Sequence, residues 1–155
     1  MKKTEAARIL DRMGISYQLH PFEVDLEDLS ATSAAEQIGV EAERVFKTLL
    51  VRGENGCHFT VIPSDASLDL KAVARLTENK KCKLVAIDEL ESLTGYVRGG
   101  VTVLGSKREY PALVDETIEL FDTFFVSCGK RGMLMELAPA DYLNAINASV
   151  AAITQ

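Results

Sequence analysis

Val45-Phe46-Lys47-Thr48-Leu49-Leu50-Val51 is an apolar run of strand-forming residues interrupted by a single lysine. Side chains alternate along a strand, so Val45, Lys47, Leu49 and Val51 share one face while Phe46, Thr48 and Leu50 share the other. Lys47 therefore stands among three aliphatic residues. Such a lysine can snorkel to water, pair with a buried acid, or be held at a cavity wall as a fixed positive charge. The run alone leaves these three readings open.

Working outward, Gly53-Glu54-Asn55-Gly56 separates this run from a second one, Cys57 to Pro63, which predicts a β-hairpin. On the N-terminal side, Ala6, Ile9, Leu10 and Met13 recur at helical spacing before Gly14, predicting a helix over 3–13. Ile15 to His20 alternates like a half-buried strand that Pro21 ends, with Phe22 just beyond. Glu23 to Asp28 is an acidic loop. Ser33-Ala34-Ala35-Glu36 fits a capping box and Gly39 a helix stop.

On the C-terminal side, Leu70, Val73, Ala74 and Leu76 mark a helix, followed by the basic cluster Lys80, Lys81 and Lys83. Such a cluster is either a solvated surface or a nucleic-acid contact. Leu84-Val85-Ala86 reads as a short strand, and Asp88 as the cap of a helix through Leu93. Gly95 to Gly105 then holds four of the chain's ten glycines, including the pair Gly99-Gly100. Paired glycines between β-branched residues mark a sharp bend or a close approach to the backbone, so the segment is a tight turn or a ligand loop. Ala112 to Val114 is a strand. Thr123 to Ser127 and Met133 to Leu137 form a second hairpin about the basic turn Cys128-Gly129-Lys130-Arg131-Gly132. Pro139 opens a closing helix that buries Tyr142, Leu143 and Ile146.

Hairpins, further strands and interspersed helices predict an α+β fold with a mixed, largely antiparallel sheet. The 155 residues suit one domain spanning 1–155, and 47% hydrophobic residues suffice for its core. A formal charge of −6 argues against a general polyanion binder, so any nucleic-acid contact is a local patch. No run approaches a membrane span, and the start at Met1 leads into an amphipathic segment, which reads as a soluble cytoplasmic protein. Cys57, Cys82 and Cys128 are widely spaced with no C-x-x-C, so reduced thiols and no zinc are expected. The dinucleotide, P-loop, zinc-protease and nucleophile-elbow patterns are missing. His20 and His58 read as surface or hydrogen-bonded residues.

Taken together, V-F-K-T-L-L-V at 45–51, G-Y-V-R-G-G at 95–100, and V-S-C-G-K-R-G followed by E-L-A-P at 126–139 resemble the YbaK/EbsC family of free-standing aminoacyl-tRNA deacylases. That family is related to the editing domain of bacterial prolyl-tRNA synthetases. The resemblance extends to I-S-Y-Q-L-H at 15–20 and D-L-K at 69–71. It implies a compact, partly barrel-like sheet surrounded by helices and hydrolysis of the ester in a mischarged tRNA, most characteristically Cys-tRNA(Pro). No cofactor, metal, membrane or DNA enters. Prolyl-tRNA synthetase is a further partner that the family suggests.

Residue by residue, the resemblance makes Lys47 the essential lysine and Gly100 the glycine whose backbone faces the scissile carbonyl. Phe22, Gly99, Val101, Thr102, Ser127 and Gly129 fall at the substrate, and Lys80, Lys81, Lys83, Lys130 and Arg131 toward tRNA. Phe22 stands where some members have tyrosine, so a wall or stacking role replaces any phenol chemistry. Val103 replaces the proline of the usual glycine-loop pattern, and Leu134 replaces a frequent acid. Both departures bear on which amino acid is removed. Ester hydrolysis needs stabilisation of a developing oxyanion, which backbone N–H groups on a glycine loop supply without side-chain bulk. No enzyme nucleophile is evident, since Ser127 and the cysteines lack a recognisable base. The family's answer is attack by the substrate's own thiol. The competing readings are a deacylase for another small amino acid, a module that holds a tRNA end without turnover, and an imine enzyme built on Lys47.

Overall fold

In the computed structural model, which describes residues 3–155, the Lys47 run lies in strand β2 (Phe46–Gly53), paired antiparallel with β3 (Gly56–Pro63). The register runs from Phe46 opposite Pro63 to Gly53 opposite Gly56. Gly56, at φ 103°, takes the left-handed conformation that the tight connection requires. Gly53 is needed for space. A Cβ there would lie 2.4 Å from Asn79 Cγ, and Asn79 is the buried stitch between this turn and the next connection. Its Oδ1 accepts from the Asn55 N–H at 2.7 Å, and its Nδ2 donates to Thr77 Oγ1 at 2.7 Å.

The remaining elements are α1 (Glu5–Met13), β1 (Gln18–Pro21), α2 (Ala31–Ile38), α3 (Leu70–Leu76), β4 (Cys82–Leu84), α4 (Leu90–Thr94), β5 (Ala112–Asp115), β6 (Phe124–Ser127), β7 (Met133–Leu137), α5 (Pro139–Ile146) and β8 (Ser149–Ala151). One sheet has the order β4-β2-β3-β5-β8, the other β1-β7-β6. A parallel bridge between Val45 and Phe125 joins them. Pairing is antiparallel except for β3–β5 and β5–β8. The fold is thus the expected α+β with a mixed, largely antiparallel sheet.

Local differences have local causes. Helix α2 starts three residues earlier than expected because Ser30, not Ser33, caps it, its Oγ accepting from the Ser33 N–H at 3.2 Å. Asp88 caps nothing. It lies in a single 3-10 turn (Ile87–Glu89) that leads into α4, shifted one residue later than expected. The strand expected at 84–86 is instead Cys82–Leu84, which includes Lys83. Strand β8 is too short and alanine-rich to show in the sequence. Parallel pairing to β5 fixes it, with Asp115 Oδ1 accepting from the Ile153 N–H at 3.1 Å.

The main core sits where α1, α5 and both sheets meet. Phe46, Phe124 and Tyr142 are fully buried there, with edge-to-face ring contacts at 5.5 Å (Phe46–Phe124) and 5.1 Å (Phe124–Tyr142). Burying such a ring contributes about 1.5–3 kcal/mol, and the edge-to-face contacts add about 0.5–1.5. The N-terminal half of β2 is therefore held from behind by its best-packed neighbours.

We expect Gly53→Ala to lower stability by about 1–3 kcal/mol, since Asn79 must move or lose its hydrogen bonds. Urea or thermal denaturation measures this. An unchanged midpoint would mean that the stitch between the two turns is not a constraint.

Candidate active site

Strand β2 has β3 along one edge, but β4 on the other edge pairs only with Val51, Arg52 and Gly53. The Val85 N–H continues to the Leu50 carbonyl at 2.9 Å, and the next contact on that side is the bridge from Val45 to Phe125. Between β4 and β6 the sheet has a gap. A cavity of about 360 Å³ opens beside it, lined along β2 by Lys47, Thr48, Leu49 and Leu50. Phe22, Leu29, Ala34, Leu84, Val85, Ile87, Leu90, Val101 and Leu134 make the lining mostly apolar.

Lys47 is half-buried in this wall. No hydrogen bond or ion pair reaches its Nζ among the described residues, and burial pushes its pKa below the ordinary lysine range, opposed by the charge of Asp65. Of the three readings open to the sequence, the geometry matches the third. At 4 Å a charge in such a setting interacts with a partner by about 4 kcal/mol, against about 1 in bulk water.

Gly99 and Val101 also line the cavity, and their N–H groups meet no acceptor among the described residues. Gly100 corrects the expectation. Its N–H donates to the Val97 carbonyl at 3.0 Å, and it does not line the cavity. Glycine suits it for another reason, because a Cβ would lie 3.1 Å from the backbone of Lys130, close enough that the turn would have to give. Gly100 thus lets the glycine loop rest on the β6–β7 turn, and its neighbours face the open space. The Ser127 hydroxyl donates to the Gly99 carbonyl at 3.3 Å, and Arg131 Nε donates to the Arg98 carbonyl at 2.8 Å. The loop is tied down from both sides. Ser127 spends its proton on a carbonyl, so nothing there makes it a nucleophile.

The structure thus brings Phe22, Lys47, Gly99, Val101, Ser127 and Arg131 together at one cavity. Two other expected substrate residues lie behind it. Thr102 is fully buried, its Oγ1 accepting from the Leu104 N–H at 3.2 Å, because that hydroxyl is used to turn the loop. Gly129, at φ 105°, packs under Tyr96, whose ring a Cβ would approach to 3.1 Å. Lys80, Lys81 and Lys83 lie on and before β4, and Leu84 immediately after them is a cavity residue. Lys130 directly precedes the cavity residue Arg131 and does not itself line the cavity. The sequence reading missed Asp25, Asp28, Ile87, Leu90 and Arg98 as cavity residues. Arg98 was visible inside the G-Y-V-R-G-G motif, whereas the others have no local signal.

The histidines stand apart from the cavity. His20 Nε2 lies 2.8 Å from Glu136 Oε1, as a hydrogen-bonded residue should, but His58 Nδ1 is buried without a partner and burial lowers its pKa. Burial likewise pushes the Cys128 thiol up to about 11, and neither Cys57 nor Cys82 lines the cavity. No group of His, Cys, Asp or Glu among the described residues is placed to hold a metal. No helix among them is long and apolar enough to cross a membrane.

Comparisons with known proteins place this geometry. Residues 28–145 match the aminoacyl-tRNA editing domain family. The chain is 39% identical to EbsC of Enterococcus faecalis, whose name provisionally assigns it as a Cys-tRNA(Pro)/Cys-tRNA(Cys) deacylase, over 99% of this chain and 94% of that one. It is 33% identical to the uncharacterized YwhH of Bacillus subtilis over 76% of each. A solved structure described as a provisional trans-editing enzyme for prolyl-tRNA synthetase superposes with a TM-score of 0.86 at 24% identity, covering 100% of this chain and 99% of that one.

Lys47 has its own thermodynamic signature. A lysine whose pKa is lower in the folded than in the unfolded state binds fewer protons when folded, so stability rises as pH climbs through the window below 10.5. Lys47→Met should abolish that part of the rise and leave the protein at least as stable at neutral pH. Urea titrations at several pH values read this. A pronounced loss of stability at neutral pH would mean that Lys47 is paired after all.

Proposed function

Because the chain belongs to the aminoacyl-tRNA editing domain family, we propose that residues 1–155 act as one editing domain that hydrolyses the ester of mischarged aminoacyl-tRNA. The proposed substrate is Cys-tRNA(Pro). The observation that carries this reading is an unpaired ammonium, Lys47, in an apolar wall facing a glycine loop with free N–H groups. In acyl transfer the carbonyl oxygen gains negative charge, and fixed donors or cations in a water-poor site stabilise it without reorganisation. Lys47 and the Val101 and Gly99 N–H groups are the donors proposed here, with Gly100 supporting the loop. Each such donor is worth about 10²–10³ in rate.

The nucleophile is the sulfur of the substrate. Its thiol loses a proton, the sulfur attacks the carbonyl carbon, and the ribose oxygen leaves and takes up a proton. The sulfur, Cβ, Cα and carbonyl carbon then close a four-membered thiolactone, which water opens to free cysteine. Tethering replaces an encounter by a unimolecular step, so the enzyme needs no nucleophile of its own. Phe22 and Leu134 contribute apolar wall, and the RNA enters between Lys80, Lys81 and Lys83 on one side and Lys130 and Arg131 on the other. Docking on prolyl-tRNA synthetase would supply the identity of the tRNA and confine the protein to the cytoplasm. Leu134 also supports a second reading, removal of another small amino acid whose side chain rests on it.

The deciding experiment is deacylation of tRNA(Pro) charged with cysteine, alanine, serine or proline. We expect rapid release of cysteine, serine far slower, and loss of turnover in Lys47→Ala without loss of fold. Gly100→Ala should reduce kcat more than substrate affinity, as the loop lifts off Lys130. Cys57→Ala, Cys82→Ala, Cys128→Ala combined should retain activity. Equal rates for cysteine and serine would replace the thiol by an activated water, and no turnover of any substrate would leave a binding module. Affinity should fall with added salt as for a few phosphate contacts, and salt-independent binding would remove tRNA from the scheme.

A further inference from the structure

The charged groups that line the cavity divide in two. Lys47, Arg98 and Arg131 are cations, suited to phosphate and to a developing oxyanion, and Asp25 and Asp28 are the carboxylates. An aminoacyl ester carries both signs as well, phosphate on the nucleotide side and an α-ammonium group on the amino acid. The cations repel the ammonium, so a carboxylate is the strongest receptor that the lining offers it.

Asp28 is built to hold a fixed negative charge. Its Oδ1 accepts from the Ser30 hydroxyl at 2.6 Å and the Ser30 N–H at 3.1 Å, just ahead of α2. These bonds, with the nearby charge of Arg98, hold its carboxyl below the usual range. No ion pair joins it to Arg98, and its Oδ2 meets no donor among the described residues. Asp25 uses its Oδ1 on the Glu27 N–H at 3.0 Å, and both carboxylates are exposed to solvent. Position favours Asp28 too. The next residue, Leu29, packs against the glycine loop, its Cδ2 3.6 Å from where a Gly99 Cβ would stand. In an amino ester the nitrogen is only two bonds from the scissile carbonyl, so the ammonium receptor has to lie close to the group that receives the carbonyl oxygen.

We propose that Asp28 receives the substrate's α-ammonium group through its unpaired Oδ2, and that the cavity thereby selects free aminoacyl esters over N-blocked ones such as peptidyl esters. The proposal rests on the deacylase reading for its substrate class. It makes Asp28 a specificity residue, and explains a carboxylate at the mouth of a site that otherwise attracts anions.

The test crosses Asp28→Asn with N-acetylation of the substrate. Asparagine keeps an oxygen for Ser30 and removes the charge, and an unchanged thermal midpoint verifies the fold. With Cys-tRNA(Pro), Asp28→Asn should lower kcat/KM about ten- to hundredfold, mostly through KM, as for loss of a charge-assisted hydrogen bond. N-acetyl-Cys-tRNA(Pro) should lose a similar factor with the unaltered protein and little more with Asp28→Asn, because both changes remove the same contact. Equal turnover of free and N-acetyl substrate, unaltered kinetics in Asp28→Asn, or losses that multiply would each overturn the proposal. Calorimetric binding of the non-hydrolysable 3′-cysteinylamino-3′-deoxyadenosine and its N-acetyl form reads the same selectivity without turnover. Preference for the free amine without hydrolysis of any ester would keep Asp28 and sink the deacylase, whereas hydrolysis without preference does the reverse.

Discussion

Everything at the site depends on a gap in backbone pairing. A strand has two edges of hydrogen-bonding groups, and a buried edge must find partners for them. Along β2 the β3 edge is paired from Phe46 to Gly53, while the other edge is shared by β4 at Val51–Gly53 and a bridge to β6 at Val45. Residues 47–49 lie between these partners, the Val85 N–H taking the Leu50 carbonyl, and residues 47–50 border the cavity. The gap persists because both partners are pinned elsewhere: β6 is paired to β7, and β4 emerges from the connection that Asn79 ties to the hairpin turn. The aromatic cluster behind Phe46 keeps β2 from shifting to close it.

Glycine takes a different part here from the one its sequence pattern suggests. A pair such as Gly99-Gly100 reads as freedom to bend or room for a ligand, and the structure uses the two differently. Gly99, at φ 94°, makes the bend and faces the cavity, while Gly100 gives up its side chain so that two backbones can touch. Arg131 and Ser127 then anchor the carbonyls on either side, and the Gly99 and Val101 N–H groups are left without an acceptor among the described residues. The rigidity that an oxyanion site requires comes from loop-on-loop packing, and a proline in place of Val103 is not needed for it.

Strands with strict alternation and turns with glycine at both ends were legible, so β2, β3, β6 and β7 were readable to within a residue or two. Lys47 was legible as a candidate cavity-wall residue because a lone charge on an aliphatic face is chemically conspicuous. The rest of the cavity was not. Leu84, Ile87 and Leu90 look like any apolar residues in a short element, and only the gap in β2 brings them to Lys47. Asp28 sat within an acidic stretch that reads as a solvated loop, and its meaning depends on Ser30 capping α2, which Ser33 and Glu36 imitate in sequence. Thr102 and Gly129 were placed at the substrate by motif, yet motifs also preserve the residues that shape a loop from behind.

Charge segregation reconciles a formal net charge of −6 with a polyanionic partner. The cations of α1 and its flank are neutralised at home, Lys3 by Asp11 at 2.6 Å and Arg12 by Glu5 at 3.1 Å. Arg52 is likewise bound to Glu89 and Arg44 to Glu136. Arg98 and Arg131 at the cavity form no ion pair among the described residues, and neither do Lys80, Lys81, Lys83 and Lys130, nor Lys71, Arg75, Lys107 and Arg108. Exposed pairs contribute little to stability, so the pairing of α1 matters mainly because it removes competing positive surface. The cavity thus keeps unpaired cations on an acidic body, and their field is felt within a Debye length of about 8–10 Å and screened beyond it. Such a field acts on a phosphate only at close range, so under the proposed function it would favour an RNA end presented at the cavity over one lying across the acidic faces.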